Sequence, residues 1–270
     1  MSTDVSIAGE IDRLVWAVGD TVRATQTSLP IASTIESGTL GPLFNLLPFR
    51  DHLTESVVRR RYVYLPDQVM TTFLDNVTTA GLFTRESDRL VPTERLESIA
   101  QELAAAVAAQ AREFWRPQEE TALAAGLMAE RVLRAAGDRD GLVALAQMIE
   151  EPADPFHCLF QRLSGLRLVR NEAHAAAWRA LGLGPRDVEA LTDAWAGTAL
   201  QAPATMSERL AKAGYVSDSP SEQIVSSAGL EARQQIEDAT DAGVKSALDE
   251  IDRSAFLDLL SVLPPLGFVH

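Results

Sequence analysis

Two stretches of this chain are punctuated alike, and that recurrence limits the folds open to it more than any other feature. In the first, the run PDQVMTTFLDNVTTA has Pro66 at its first turn and Val69, Met70, Phe73, Leu74 and Val77 on one side, and it stops at Gly81. Two short strands, Leu82 to Thr84 and Arg89 to Val91, flank the polar turn Arg85 to Asp88. Thr93 then caps an alanine-rich helix over about residues 94–111, with Leu96, Ile99, Leu103 and Val107 as its stripe. In the second stretch a helix over about residues 205–213 stops at Gly214, and Ala213-Gly214-Tyr215-Val216 stands where Ala80-Gly81-Leu82-Phe83 stood. A polar wing spans Ser217 to Gln223, Ile224-Val225 returns, and Ser227 caps a helix through LEARQQIEDATD. Gly81 pairs with Gly214, Val91 with Val225, and Thr93 with Ser227. Isolated helix caps coincide easily; an ordered series of matches points to duplication.

Each stretch follows further helices: LTESVVRRR, capped by Thr54, before the first, and Glu172 to Leu181 then Pro185 to Ala196 before the second. Helix, turn, helix, hairpin, helix is the order of a winged helix-turn-helix module. The predicted fold is mainly α with short β-hairpin wings: two winged helix-turn-helix modules in tandem, joined by central helices. Residues 1–115 are read as the N-terminal winged-helix domain and 116–154 as connecting helices that end at the break Glu151-Pro152-Ala153-Asp154-Pro155. Residues 155–270 are read as the C-terminal winged-helix domain with a helical tail. Upstream, Ile11 to Thr25 has helical spacing, while Ser28 to Phe49 is broken into loops and short helices by its prolines and glycines. A duplicated module supplies within one chain the pairing that other regulators obtain by dimerising, so both a monomeric pseudo-dimer and a homodimer fit.

Charge narrows the partners. The formal net charge of -14 and pI near 4.7 oppose any role that needs a generally basic surface, such as non-specific binding to nucleic acid or anionic lipid. Cys158 is the only cysteine, which rules out an internal disulfide and a multi-cysteine zinc site and suits a reducing cytoplasm. The acidic start MSTDVSIAGE does not read as a signal peptide, and no apolar run reaches the length of a membrane span. A cytoplasmic protein with no membrane partner, no cofactor and no metal is expected.

The candidate site lies in PFHCLFQRLSGLRLVRNEAHAAAW, Pro155 to Trp178, where Arg162, Arg167, Arg170 and His174 interrupt a run that otherwise reads as a buried helix. On an unbroken helix Phe160, Ser164, Arg167, Asn171, His174 and Trp178 form one stripe, with Gln161 beside it. If the helix instead breaks near Arg170, Asn171 caps the next one. Glu237, Thr240 and Asp241 share a face of the last long helix and can either neutralise the arginines or complete a site. Two readings stay open: arginines paired with carboxylates around a satisfied core histidine, or a cleft between the halves that binds a small anion, for which the guanidinium fork is suited. If the chain is an enzyme, His174 with Glu172 is the pair for acid-base work, since histidine titrates near neutrality. No nucleophile elbow, phosphate loop or metal-spaced cluster accompanies it.

DNA contact would fall to Arg59, Arg60 and Arg61 at a helix end and to the wing residues Arg85 and Arg89. From Thr54 to Glu97 these five and Arg95 face Glu55, Asp67, Asp75, Glu86, Asp88, Glu94 and Glu97, which is not the basic footprint of a duplex reader. The helix placed for recognition offers Asp67, Gln68, Thr71, Thr72, Asp75 and Asn76, with no lysine or arginine.

The segment from Pro155 to Asp241 resembles a family of actinobacterial helix-turn-helix proteins with a MarR-like winged-helix module. The resemblance rests on P-F-x-x-L-F-Q-x-x-S-x-L-R-x-x-R-N-E-x-H-x-A at Pro155 to Ala176, A-G-Y-V at Ala213 to Val216 and R-x-x-I-E-x-x-T-D at Arg233 to Asp241. Arg167, Arg170 and His174 match outright; the family has histidine at Phe156 and Gln161, and Gly-Asp at Asn171-Glu172. The expected function is a transcriptional-regulator-like protein that binds a small, anionic molecule between its halves, with DNA binding weak or lost. The alternative is an enzyme or accessory protein of small-molecule metabolism that uses the same cleft on a repurposed scaffold.

Overall fold

The computed structural model describes residues 6–15, 42–43, 45–137, 142–148, 151–195, 204–216 and 224–265. The chain divides into two compact units: residues 1–169 with 246–270, and residues 170–245. The polar wing expected over Ser217 to Gln223 and most of Ser28 to Phe49 lie outside the described residues.

In the first unit, α1 (Glu55–Arg61) starts at Thr54, whose side chain accepts from the Val57 amide, and α2 (Asp67–Thr79) follows after Pro66. The α2 stripe Met70, Phe73, Leu74 and Val77 is buried. Val69, expected with them, is 47% exposed because its position lies off the edge of that stripe. Gly81 ends α2 with φ +67, a conformation open to glycine, and the amides of Gly81 and Leu82 close on the Thr78 and Val77 carbonyls. β1 (Phe83–Glu86) and β2 (Arg89–Pro92) pair antiparallel, with Phe83 opposite Pro92. Thr93 caps α3 (Glu94–Trp115), which buries Leu96, Ile99, Ala100, Leu103, Val107, Ala111 and Trp115. α4 (Glu119–Ala135) packs on α5 (Leu142–Met148) and on α10 (Arg253–Val262), and Trp115 Nε1 donates to the Pro264 carbonyl at 3.0 Å.

α6 is one uninterrupted helix, Pro155–Ala180. The alternative break at Arg170, with Asn171 as a cap, does not occur: asparagine is tolerated within a helix at modest cost, and the helix runs through it. α7 (Pro185–Trp195), α8 (Ala204–Lys212) and α9 (Ser227–Leu248) complete the second unit.

The second unit repeats the hydrogen bonds of the first at one constant offset. Gly214 again has positive φ, +75, and the amides of Gly214 and Tyr215 close on Ala211 and Leu210 as those of Gly81 and Leu82 close on Thr78 and Val77. Val216 bridges Val225 where Phe83 faces Pro92. The cap is Ser226, one residue before the expected Ser227. Its hydroxyl donates to the Gly214 carbonyl and accepts from the Gly229 amide, as Thr93 donates to the Gly81 carbonyl and accepts from the Leu96 amide. The shift follows from the hairpin register, which matches Val225 to Pro92 rather than to Val91.

Candidate functional site

One cluster of polar groups in the second unit converges on a single carboxylate. Glu237 on α9 accepts from Arg170 Nη2 through Oε2 at 2.8 Å and from Arg233 Nη1 through Oε1. Arg233, with its side chain only 8% exposed, also donates from Nε to Thr192 Oγ1 on α7 at 2.8 Å. His174 places Nδ1 3.1 Å from Thr240 Oγ1 and 3.8 Å from Glu237 Oε1. Helical spacing assembles the group: residues 233, 237 and 240 share one face of α9, and 170 and 174 share one face of α6. Small residues bring the helices together, since a Cβ on Gly243 would lie 2.9 Å from the Ala173 Cβ.

Thr240 fixes the state of the histidine. Its buried hydroxyl donates to the Ile236 carbonyl at 2.7 Å, so toward His174 it can only accept, and the imidazole carries its proton on Nδ1. Burial presses the His174 pKa from 6.5 down to about 4; Glu237 pulls it upward, while Arg233 and Arg170 add to the depression. Glu237 is raised by burial, but the hydrogen bond and charge of Arg233, with the charge of Arg170, outweigh this and hold it below the ordinary carboxylate range.

The sign of the pH dependence follows. Between pH 6.5 and 4 the unfolded chain binds the His174 proton and the folded chain does not, so stability is full above pH 6.5 and declines as pH falls towards 4. Glu237, depressed on folding, adds to the loss at lower pH. After allowance for solvent screening the histidine accounts for on the order of 2 kcal/mol. Urea unfolding midpoints across this range measure it, and His174→Gln is expected to flatten the slope; an unchanged slope would assign it to other groups.

The other expected site residues have different surroundings. Arg167 belongs to the first unit, where Nε pairs with Asp12 Oδ1 at 2.7 Å. Phe160 is buried, Ser164 returns its hydroxyl to the Phe160 carbonyl at 2.9 Å, and Phe160 and Gln161 line a small cavity with His157. Trp178 is buried under the Arg179 guanidinium, 4.8 Å from the ring centroid, while Asp241 is exposed and Asn171 and Glu172 are half-buried. Sequence reasoning missed Arg233 and Thr192. Arg233 was detectable, because it opens the R-x-x-I-E motif one helical turn before Glu237; an isolated threonine gave no signal.

On the outer face of α2 the basic residues are neutralised locally. Arg59 pairs with Asp67 at 3.2 Å, and Arg85 with Glu55 at 3.1 Å and Asp75 at 3.2 Å. Arg60 and Arg89 are exposed. Arg61, expected to face phosphates, is half-buried: its Nε is buried with no hydrogen-bond partner among the described residues, and its Cζ lies 5.5 Å from the Tyr62 ring centroid. Burial pushes its pKa down, Tyr62 opposes this and Arg167 adds to it. The last turn of α1 therefore gives the surface fewer charges than the triplet in sequence suggests.

Among the described residues no helix is long and apolar enough to cross a membrane, and no group of three or more His, Cys, Asp or Glu is placed to hold a metal ion. No curated protein and no solved structure matches the chain. A family model described as a helix-turn-helix family matches residues 69–268, from α2 and its hairpin through the whole of the second unit. Since that span covers well over half of the sequence, the chain belongs to this helix-turn-helix family.

Proposed function

We propose that this protein is a cytoplasmic, MarR-like regulator, built from two winged-helix modules in tandem, that binds a small anion in its C-terminal unit and contacts DNA weakly. The observation that carries the reading is the comparison of α9 with α3 in the register set by Gly214 and Gly81. Arg233, Glu237 and Thr240 stand where α3 has Ala100, Ala104 and Val107. Apolar side chains therefore meet the packing need at these positions, and desolvating charges there costs stability that packing does not return. Such a cost is expected where the charges serve a ligand. Arg170 supports the same reading, since among the described residues its buried Nε has no acceptor, while its Nη2 pairs with Glu237. A histidine held near pKa 4 is a poor general base at neutral pH, which favours binding over the enzymatic alternative with His174 and Glu172.

The test uses inorganic phosphate and benzoate as probes. At least one is expected to raise the melting temperature of the wild type, and the triple variant Arg233→Ala, Glu237→Ala, Thr240→Val is expected to fold and lose that response. No response in the wild type would sink the anion reading. Mobility shifts with genomic fragments should show only retention that moderate salt abolishes; specific retention at moderate salt would overturn the weak-DNA part.

A further inference from the structure

The exposed residues of α4 fall on one narrow line. They are Glu120, Leu123, Leu127, Arg131 and Arg134, with Glu119 beside them at the helix start, and every other residue of the helix is buried or half-buried. At 3.6 residues per turn, the five point within about 40° of Leu127. The steps from 120 to 123, 127, 131 and 134 average about 3.5 residues, the repeat at which one helix follows another along a seam. Leucines hold the middle of the line, Leu123 at 41% and Leu127 at 62% exposed. Among the described residues α4 is the one helix that leaves two large apolar side chains in water. The outer side of α3, by contrast, carries Gln101, Glu102, Ala105, Ala109 and Arg112.

We infer that this line is a self-association surface, on which a second copy of the chain lays its own α4 antiparallel, about a two-fold axis at Leu127. The order of the side chains selects that partner. The spacing reads the same in both directions from Leu127, so an antiparallel copy sets Leu127 against Leu127, Leu123 against Arg131 and Glu120 against Arg134, each unlike pair occurring twice. The helix is negative at one end, with Glu119 and Glu120, and positive at the other, with Arg131 and Arg134. A parallel copy would bring like charges together, and the antiparallel one brings opposites together. Arg134 pairs with Glu130 along its own helix while its side chain stays 77% exposed, so the guanidinium fork keeps donors for a second carboxylate. Arg131 gives Nη2 to the Glu250 carbonyl, which leaves its methylene stem to cover Leu123 of the other copy. A single seam of this length buries less than a standard interface, so the dimer belongs to the micromolar range.

Sedimentation velocity of the full-length chain reads the association. At about 0.15 M salt the screening length of about 8 Å mutes the repulsion between two copies of net charge -14. The wild type is expected to pass from monomer to dimer between about 1 and 500 μM. Leu127→Glu, which opposes two carboxylates on the axis, is expected to weaken the dimer at least about tenfold. Glu120→Arg and Arg134→Glu are each expected to weaken it about fivefold or more, and an equimolar mixture of the two to associate more tightly than either alone, because the mixed pair again meets with opposite charges at both ends. A wild type that stays monomeric throughout, a dimer indifferent to Leu127→Glu, or a mixture no tighter than its components would each overturn the assignment. The mixture asks for a gain of association, which a misfolded variant does not supply. No residue of the anion site in the second unit takes part, so the two readings fail independently.

Discussion

Glu237→Ala is expected to destabilise the protein by about 3–5 kcal/mol, as removal of one partner from a buried ion pair does. The carboxylate is 21% exposed and accepts from both Arg170 and Arg233, whose side chains are 30% and 8% exposed. Its removal strands two guanidinium groups in a site where water solvates them poorly. Arg186→Ala, which breaks the exposed pair with Glu189, provides the contrast, with an expected cost below about 1 kcal/mol. Adding Arg233→Ala to Glu237→Ala is expected to recover a large part of the loss, since it restores the alanine pair found at Ala100 and Ala104. Urea unfolding of the three variants forms the double-mutant cycle. A loss under about 1 kcal/mol for Glu237→Ala alone would mean that water, not Glu237, solvates these arginines.

Gly229→Ala is expected to cost about 3 kcal/mol or more for a steric reason. A Cβ at this position would lie 2.2 Å from the Tyr215 carbonyl oxygen and 2.8 Å from Val225 Cγ1. The valine can rotate, but the carbonyl cannot retreat, because it accepts the Ser226 amide at 3.0 Å and so closes the turn into α9. Leu96 holds the corresponding place on α3, with its side chain fully buried. Gly126→Ala is the control of opposite sign. Its Cβ would meet Arg162 Nη1 at 3.7 Å, an ordinary contact, and alanine within a helix gains about 0.5–1 kcal/mol over glycine. Thermal unfolding should separate the two variants in direction as well as size.

Most of the helical framework was legible because its signals are local. Thr54 and Thr93 cap, Gly81 and Gly214 accept positive φ, and apolar periodicity marks the inner side of α3; Pro66, expected in a first turn, stands instead at the N-cap of α2. Val69 was misplaced because periodicity resolves a helix face only to within about one residue. The second cap was placed one residue late, at Ser227 instead of Ser226, because a cap is chosen by hairpin register, which depends on a pairing across the turn. In the site, Arg170, His174, Glu237 and Thr240 could be grouped by spacing alone. The neighbours of Arg167 could not: Asp12 is distant in sequence, and nothing local marks it as a partner. Arg61 illustrates the same limit, since a run of three arginines looks alike to sequence whether a member points to water or to Tyr62.

Ionic strength acts twice on the outer face of α2. Each phosphate that Arg59 or Arg85 met would first have to displace Asp67, Glu55 or Asp75 from it, exchanging one anion for another rather than shedding bound cations from the duplex at no internal cost. Added electrolyte loosens the internal pairs as well as the external ones. A titration that counts contacts from the steepness of affinity against salt would therefore return fewer arginines than actually touch the nucleic acid.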